Sequence, residues 1–121
     1  MTAQNEPGSL INLEMLHTLA NGDKAFVAEM VSNFVQESGQ LMQQIGEALQ
    51  QADHQAIYHA AHALKSLLVY VGLDKHIGAA IAEIEILGRD KGPMQQVQQL
   101  YTMAEGTYAK GMRELQSLPL N

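Results

Sequence analysis

From residue 11 onward, apolar residues recur every three or four positions, the spacing that lays them along one side of a helix. No stretch alternates apolar and polar residues as a half-buried strand does. The pattern predicts a short helix over 12–20, capped by Asn12 and closed by Asn21-Gly22. A long second helix follows over 24–51, capped by Asp23, with a stripe of Val27, Met30, Phe34, Leu41, Ile45 and Leu49. Gly39 and Gly46 lie inside it at about 1 kcal/mol each relative to Ala, but the stripe stays in phase through both.

Asp53 caps a third helix that runs to Val71 and stops at Gly72. Asp74 restarts the chain, and Ile77, Ile81, Ile84 and Leu87 form the next stripe. "GRDKGP" (88–93) is the clearest break, and Pro93 suits the first turn of a last helix that buries Val97, Tyr101, Ala104, Tyr108 and Leu115. Long amphipathic helices joined by short loops predict an all-α fold: an antiparallel up-down four-helix bundle with a short additional N-terminal helix. Residues 1–10, polar and carrying Pro7 and Gly8, are expected to be a flexible N-terminal arm, and 11–121 the bundle domain. There is no internal repeat or low-complexity tract.

Composition narrows the function classes. The 121 residues suffice for one core. No run of about 18 apolar residues exists to span a membrane, and the first ten residues lack the basic start and apolar stretch of a secretory signal. With no cysteine, disulfide and thiolate-metal sites are excluded, in keeping with an expected cytoplasmic location. A net charge of −6 argues against nonspecific nucleic-acid binding, which rests on cations neutralising phosphates. A monomer is expected, because every stripe can be satisfied within one bundle. Met1 and the self-contained length favour a free-standing protein over a domain of a larger kinase.

The third helix carries the chemistry. Successive helical residues turn by about 100°, which gathers Ile57, Ala60, Leu64, Leu67, Leu68 and Val71 on the core side. His62 points away from that cluster, with Gln55, Tyr58, His59, Lys65, Ser66 and Val69 within about 60° of it. An exposed, neutral imidazole has a free nitrogen lone pair and can act as a nucleophile. Lys65, one turn on, can reach a phosphoryl group on His62, and Ser66 keeps the neighbouring surface low. No Asp or Glu lies on this face near His62 to repel a phosphate. His59 and His62 fall short of the three or four ligands of a metal site, so no metal is expected.

The segment "AHALKS" (61–66) followed by Gly72 resembles the signature of the histidine-containing phosphotransfer (HPt) domains of bacterial multistep phosphorelays. "AFVAEMVSNFVQES" (25–38), Asp53 and "AIAEIEILGRDKG" (80–92) are also similar to the family's layout, so the resemblance covers roughly residues 10–116. It implies that His62 is the phosphorylated residue, Lys65 its charge partner, Ser66 the small position beneath the docked partner and Gly72 the helix-end glycine. The implied function is to accept a phosphoryl group from an aspartate of one receiver domain and deliver it to another. The implied partners are response-regulator receiver domains and a hybrid sensor kinase. No cofactor is expected in this chain, since the receivers supply Mg²⁺.

Two features depart from the family pattern: Ser66 stands where Gly is commonest, and "LLVYV" (67–71) is bulkier than usual. Either Val69 and Tyr70 tune receiver docking or they fill space against neighbouring helices. The expected docking rim is Tyr58, Val69 and Tyr70, with Gln55 and His59 at its edges. A sensor kinase is disfavoured: Ala63 stands where such kinases place an acidic residue, and no glycine-rich ATP-binding segment exists. The chain is therefore expected to be a carrier and not an enzyme. The competing reading is a helical adaptor that binds a signalling partner through the same face without phosphorylation.

Overall fold

The computed structural model describes residues 8–119, and all regular structure among them is helical. The elements are α1 (Glu14–Ala20), α2 (Lys24–Gln50), α3 (His54–Leu67), a 3-10 turn (Leu68–Val71), α4 (Asp74–Arg89) and α5 (Met94–Ser117). α3 packs against both α2 and α4, α5 lies mainly against α4, and α1 sits against α2 and the 3-10 turn.

The boundaries follow from local chemistry. The Asp23 carboxylate accepts from Phe26 N and that of Asp53 from Ala56 N, each at 3.1 Å, satisfying amide groups that the first turn leaves unpaired. α1 begins at Glu14, two residues later than expected, because the Asn12 backbone is already engaged: its N–H donates to Val71 O at 2.8 Å. The Asn12 side chain still accepts from Glu14 N at 2.8 Å. Pro93 immediately precedes the α5 helix instead of lying in its first turn. α2 is continuous through Gly39 and Gly46.

The stripe of α2 differs from expectation. Val27, Phe34 and Ile45 are buried, but Met30, Leu41 and Leu49 are only half-buried; Val31, Ser38, Met42 and Ala48 take the inward positions. Ser38 is admitted because its hydroxyl hydrogen-bonds to that of Tyr108 at 2.7 Å, which removes the cost of burying an unpaired polar group. Leu67, Leu87 and Tyr108 are likewise half-buried, while Ala61, Ala80, Gly88 and Gly111 fill the inner positions. Of the arm expected over residues 1–10, residues 1–7 lie outside the described residues. Ser9 and Leu10 are half-buried and bound to the Glu114 carboxylate, which accepts from the Ser9 hydroxyl and from Leu10 N.

Two glycines set the surroundings of the exposed α3 face. At Gly72, φ is +79°, a conformation that disfavours any side chain, and an added Cβ would lie 2.9 Å from Asn12 Cβ. Gly88 is buried where α4 crosses α3, and a Cβ there would lie 2.7 Å from Tyr58 N and 2.9 Å from His54 O. These are backbone atoms and cannot step aside. Gly88→Ala is therefore expected to destabilise the protein by about 1–3 kcal/mol from overpacking, outweighing the helix-propensity gain of about 1 kcal/mol. Urea denaturation checks this; a variant more stable than wild type would mean that α3 and α4 separate without cost.

Candidate functional site

α3 presents the face that the sequence places outward. Ile57, Ala60, Ala61 and Leu64 anchor it in the core, and the helix tightens at Leu68–Val71 before Gly72 turns the chain. Leu73 N returns to Leu68 O at 3.1 Å and Gly72 N to Val69 O at 3.3 Å, closing the end of the helix. On the opposite side, the His62 side chain is 63% exposed.

His62 does not stand alone, however. Glu85 of α4 reaches across, and its Oε2 lies 2.7 Å from His62 Nδ1 while its Oε1 lies 2.6 Å from Lys65 Nζ. The expectation that no carboxylate stands near His62 holds for α3 itself, but α4 supplies one. Only 12% of the Glu85 side chain is exposed, against 43% for Lys65. Hydrogen bonding to Lys65, and secondly to His62, holds the Glu85 carboxyl below its ordinary value of 4.5, outweighing the upward push of burial. Lys65 thus faces a protein carboxylate one turn from the histidine, in the position where a phosphoryl group would compete for it.

The hydrogen bond defines the imidazole. An ionised carboxylate only accepts, so Nδ1 must carry the proton that it donates to Glu85. In the neutral ring, the lone pair then resides on Nε2. The Tyr58 ring stacks on the imidazole with centroids 5.9 Å apart and planes at 21°, and meets the His59 ring edge-on at 5.2 Å and 67°. The Tyr58 ring flanks one face of the imidazole and Glu85 occupies one nitrogen; the chemistry left to His62 is that of a single nucleophilic nitrogen.

The other expected residues divide. Ser66 is exposed one turn beyond His62, with its hydroxyl folded back to donate to Ala63 O at 2.9 Å. Val69 is 38% exposed beside it. Tyr70 is half-buried and packs on the core. Gln55 is exposed near the start of α3, and His59 borders a shallow groove shared with Leu41, Gln44 and Glu47 of α2. Among the described residues, no group of three or more His, Asp or Glu could hold a metal ion. No helix of the described residues is long and apolar enough to cross a membrane.

Glu85 is the residue that the sequence reading missed, together with Ile86 beside it, which is 41% exposed. The available signal was weak: helical rotation places Glu85 at the edge of the Ile77, Ile81 and Ile84 stripe, one position among several boundary residues. The geometry carries a pH prediction. The Glu85 carboxyl titrates lower in the folded chain than in the unfolded one, so its stabilisation is fully present above about pH 4.5 and is lost as pH falls through the depressed value. Glu85→Gln is expected to lose less stability than wild type as the pH falls below about 4.5, as measured by urea midpoints. Parallel acid limbs for the two proteins would contradict the pairing.

The family model described as the Hpt domain matches residues 29–117, well over half of the chain and inclusive of α3, α4 and all but the first residues of α2. No curated protein and no solved structure gives a significant match.

Proposed function

Because the chain belongs to the Hpt domain family, whose members act in histidine phosphotransfer in two-component signalling, we propose that His62 is its phosphorylated residue. On this reading, His62 accepts a phosphoryl group from a receiver-domain aspartate and passes it to another receiver. The observation that carries the proposal is the Nδ1 to Glu85 hydrogen bond at an exposed imidazole, which leaves Nε2 with its lone pair toward solvent. His59, exposed and bordering the α2 groove, has among the described residues only the Tyr58 ring edge-on against it in place of a carboxylate, and is the weaker candidate.

Lys65 is proposed to leave Glu85 and offset the charge of the incoming phosphoryl group, a shift its flexible stem allows. Ser66 keeps the approach low. The exposed apolar residues Val69 and Ile86 are proposed to give the receiver apolar contact, with Gln55 at the edge; Tyr70 takes the space-filling role. Mg²⁺ and most of the catalytic apparatus are assigned to the receiver, and this chain acts as a carrier without ATP-binding parts. The four long helices α2–α5 are read as an up-down antiparallel bundle with α1 across one end, an arrangement supported by the short connections and the order of packing. A cytoplasmic monomer is the proposed working form.

The test is transfer from a phosphorylated receiver. The protein is expected to acquire acid-labile, alkali-stable phosphate that fragmentation mass spectrometry maps to His62. Phosphate on His59 would move the site by one turn. Receiver binding with no phosphate on any residue would make the chain a non-phosphorylated adaptor.

A further inference from the structure

An exposed histidine normally samples several rotamers, yet His62 is held from two directions. The bond to Glu85 fixes Nδ1 but leaves the ring free to pivot about that contact. Stacking on Tyr58 removes the pivot, because it fixes the plane. Tyr58 is itself held. Its backbone lies against Gly88, where even a methyl group would not fit, and its half-buried ring is met edge-on by His59.

We propose that Tyr58 is a positioning residue for phosphoryl transfer at His62: its ring braces the imidazole with Nδ1 on Glu85 and Nε2 outward, and its face stabilises the cationic ring formed when the phosphoryl group arrives. This rests on His62 being the phosphorylated residue. In the step, the Nε2 lone pair forms the N–P bond and the P–O bond to the receiver aspartate breaks. The aspartate leaves as a carboxylate with that electron pair. Nδ1 keeps its proton, so the phosphorylated imidazole ring carries a positive charge. On transfer to the next receiver, a carboxylate oxygen of its aspartate forms the new P–O bond, the N–P pair returns to Nε2 and neutral imidazole departs. The positive charge thus forms on a ring whose centroid lies 5.9 Å from that of the offset-stacked Tyr58, at the outer range of cation–aromatic attraction. Tyr58 was expected from sequence to be a docking contact; its placement against the imidazole gives it this different task.

The experiment compares wild type, Tyr58→Leu and Tyr58→Phe in transfer from a phosphorylated receiver, with ¹⁵N spectra of the histidine rings in the unphosphorylated protein. Circular dichroism confirms the fold, and Tyr58→Met replaces the Leu variant should that fail to fold. Tyr58→Leu is expected to lower kcat about 5- to 10-fold with KM for the receiver little changed. Its His62 ring should gain mobility, read from ring ¹⁵N relaxation, while the proton stays on Nδ1 through the Glu85 bond. Tyr58→Phe, which keeps the face, should behave as wild type in both. Wild-type kcat in Tyr58→Leu, a loss confined to KM, or equal impairment in Tyr58→Phe would each overturn the proposal. If wild type takes no phosphate on His62, the functional reading fails. The ring spectra then still decide whether Tyr58 holds the imidazole.

Discussion

His62→Gln is expected to abolish phosphate uptake from a phosphorylated receiver while leaving the fold intact. The two effects separate because the His62 side chain meets the bundle only at the surface, through Glu85 and the Tyr58 ring. With 63% of its side chain exposed, little apolar area is lost, and Gln is at least as good a helix former. The Gln amide can still donate to Glu85, so the carboxylate is not stranded. A stability change within about 0.5 kcal/mol is expected, as for most surface substitutions. What disappears is the nucleophilic lone pair, for which an amide nitrogen is no substitute. The matching His59→Gln variant should take up phosphate as wild type does. Uptake by His62→Gln, or its loss in His59→Gln, would show that the wrong histidine has been assigned.

Leu64→Ala should do the reverse. Leu64 lies two residues along the same helix but is completely buried. Truncating it removes transfer free energy and leaves a cavity in a close-packed core, at a cost of about 2–5 kcal/mol. Against a typical total of about 5–15 kcal/mol this is severe, and the midpoint of thermal unfolding should fall by roughly 10–20 °C. Below that transition the folded fraction should transfer phosphate near the wild-type rate, since the Tyr58, His62, Lys65 and Glu85 contacts do not pass through Leu64. Urea denaturation with an unchanged m-value checks the first half and transfer kinetics the second. A loss under about 1 kcal/mol would mean that the core closes over the gap.

This opposition between neighbours on one helix was readable in advance. The 3.6-residue period is a property of a single helix, so it separates Leu64 from His62 without reference to anything else in the chain. The end signals are equally local. Asp23 and Asp53 cap their helices through their own side chains, and Asn21 and Gly72 turn the chain in the left-handed region. Membership of the Hpt domain family agrees with the resemblance carried by "AHALKS" and Gly72.

Everything that depended on how one helix lies against another was hidden. The inward face of α2 settles on Val31, Ser38 and Met42 because its neighbours and the Tyr108 hydroxyl decide which side is covered. A hydropathy pattern alone gives no reason to bury Ser38. Tyr58 and Tyr70 both looked like rim residues, yet one stacks on His62 and the other packs on the core. Glu85 is the sharpest case: 23 residues separate it from His62, and only the register of α4 against α3, set by their close crossing at Gly88, brings its carboxylate between the imidazole and Lys65. The sequence by itself determined the helices, the Asp23 and Asp53 caps and the outward placement of His62, because those follow from interactions within a few residues. The tertiary structure decided which nitrogen of His62 is free and what holds the ring in place, because those depend on side chains that meet only when separate helices pack.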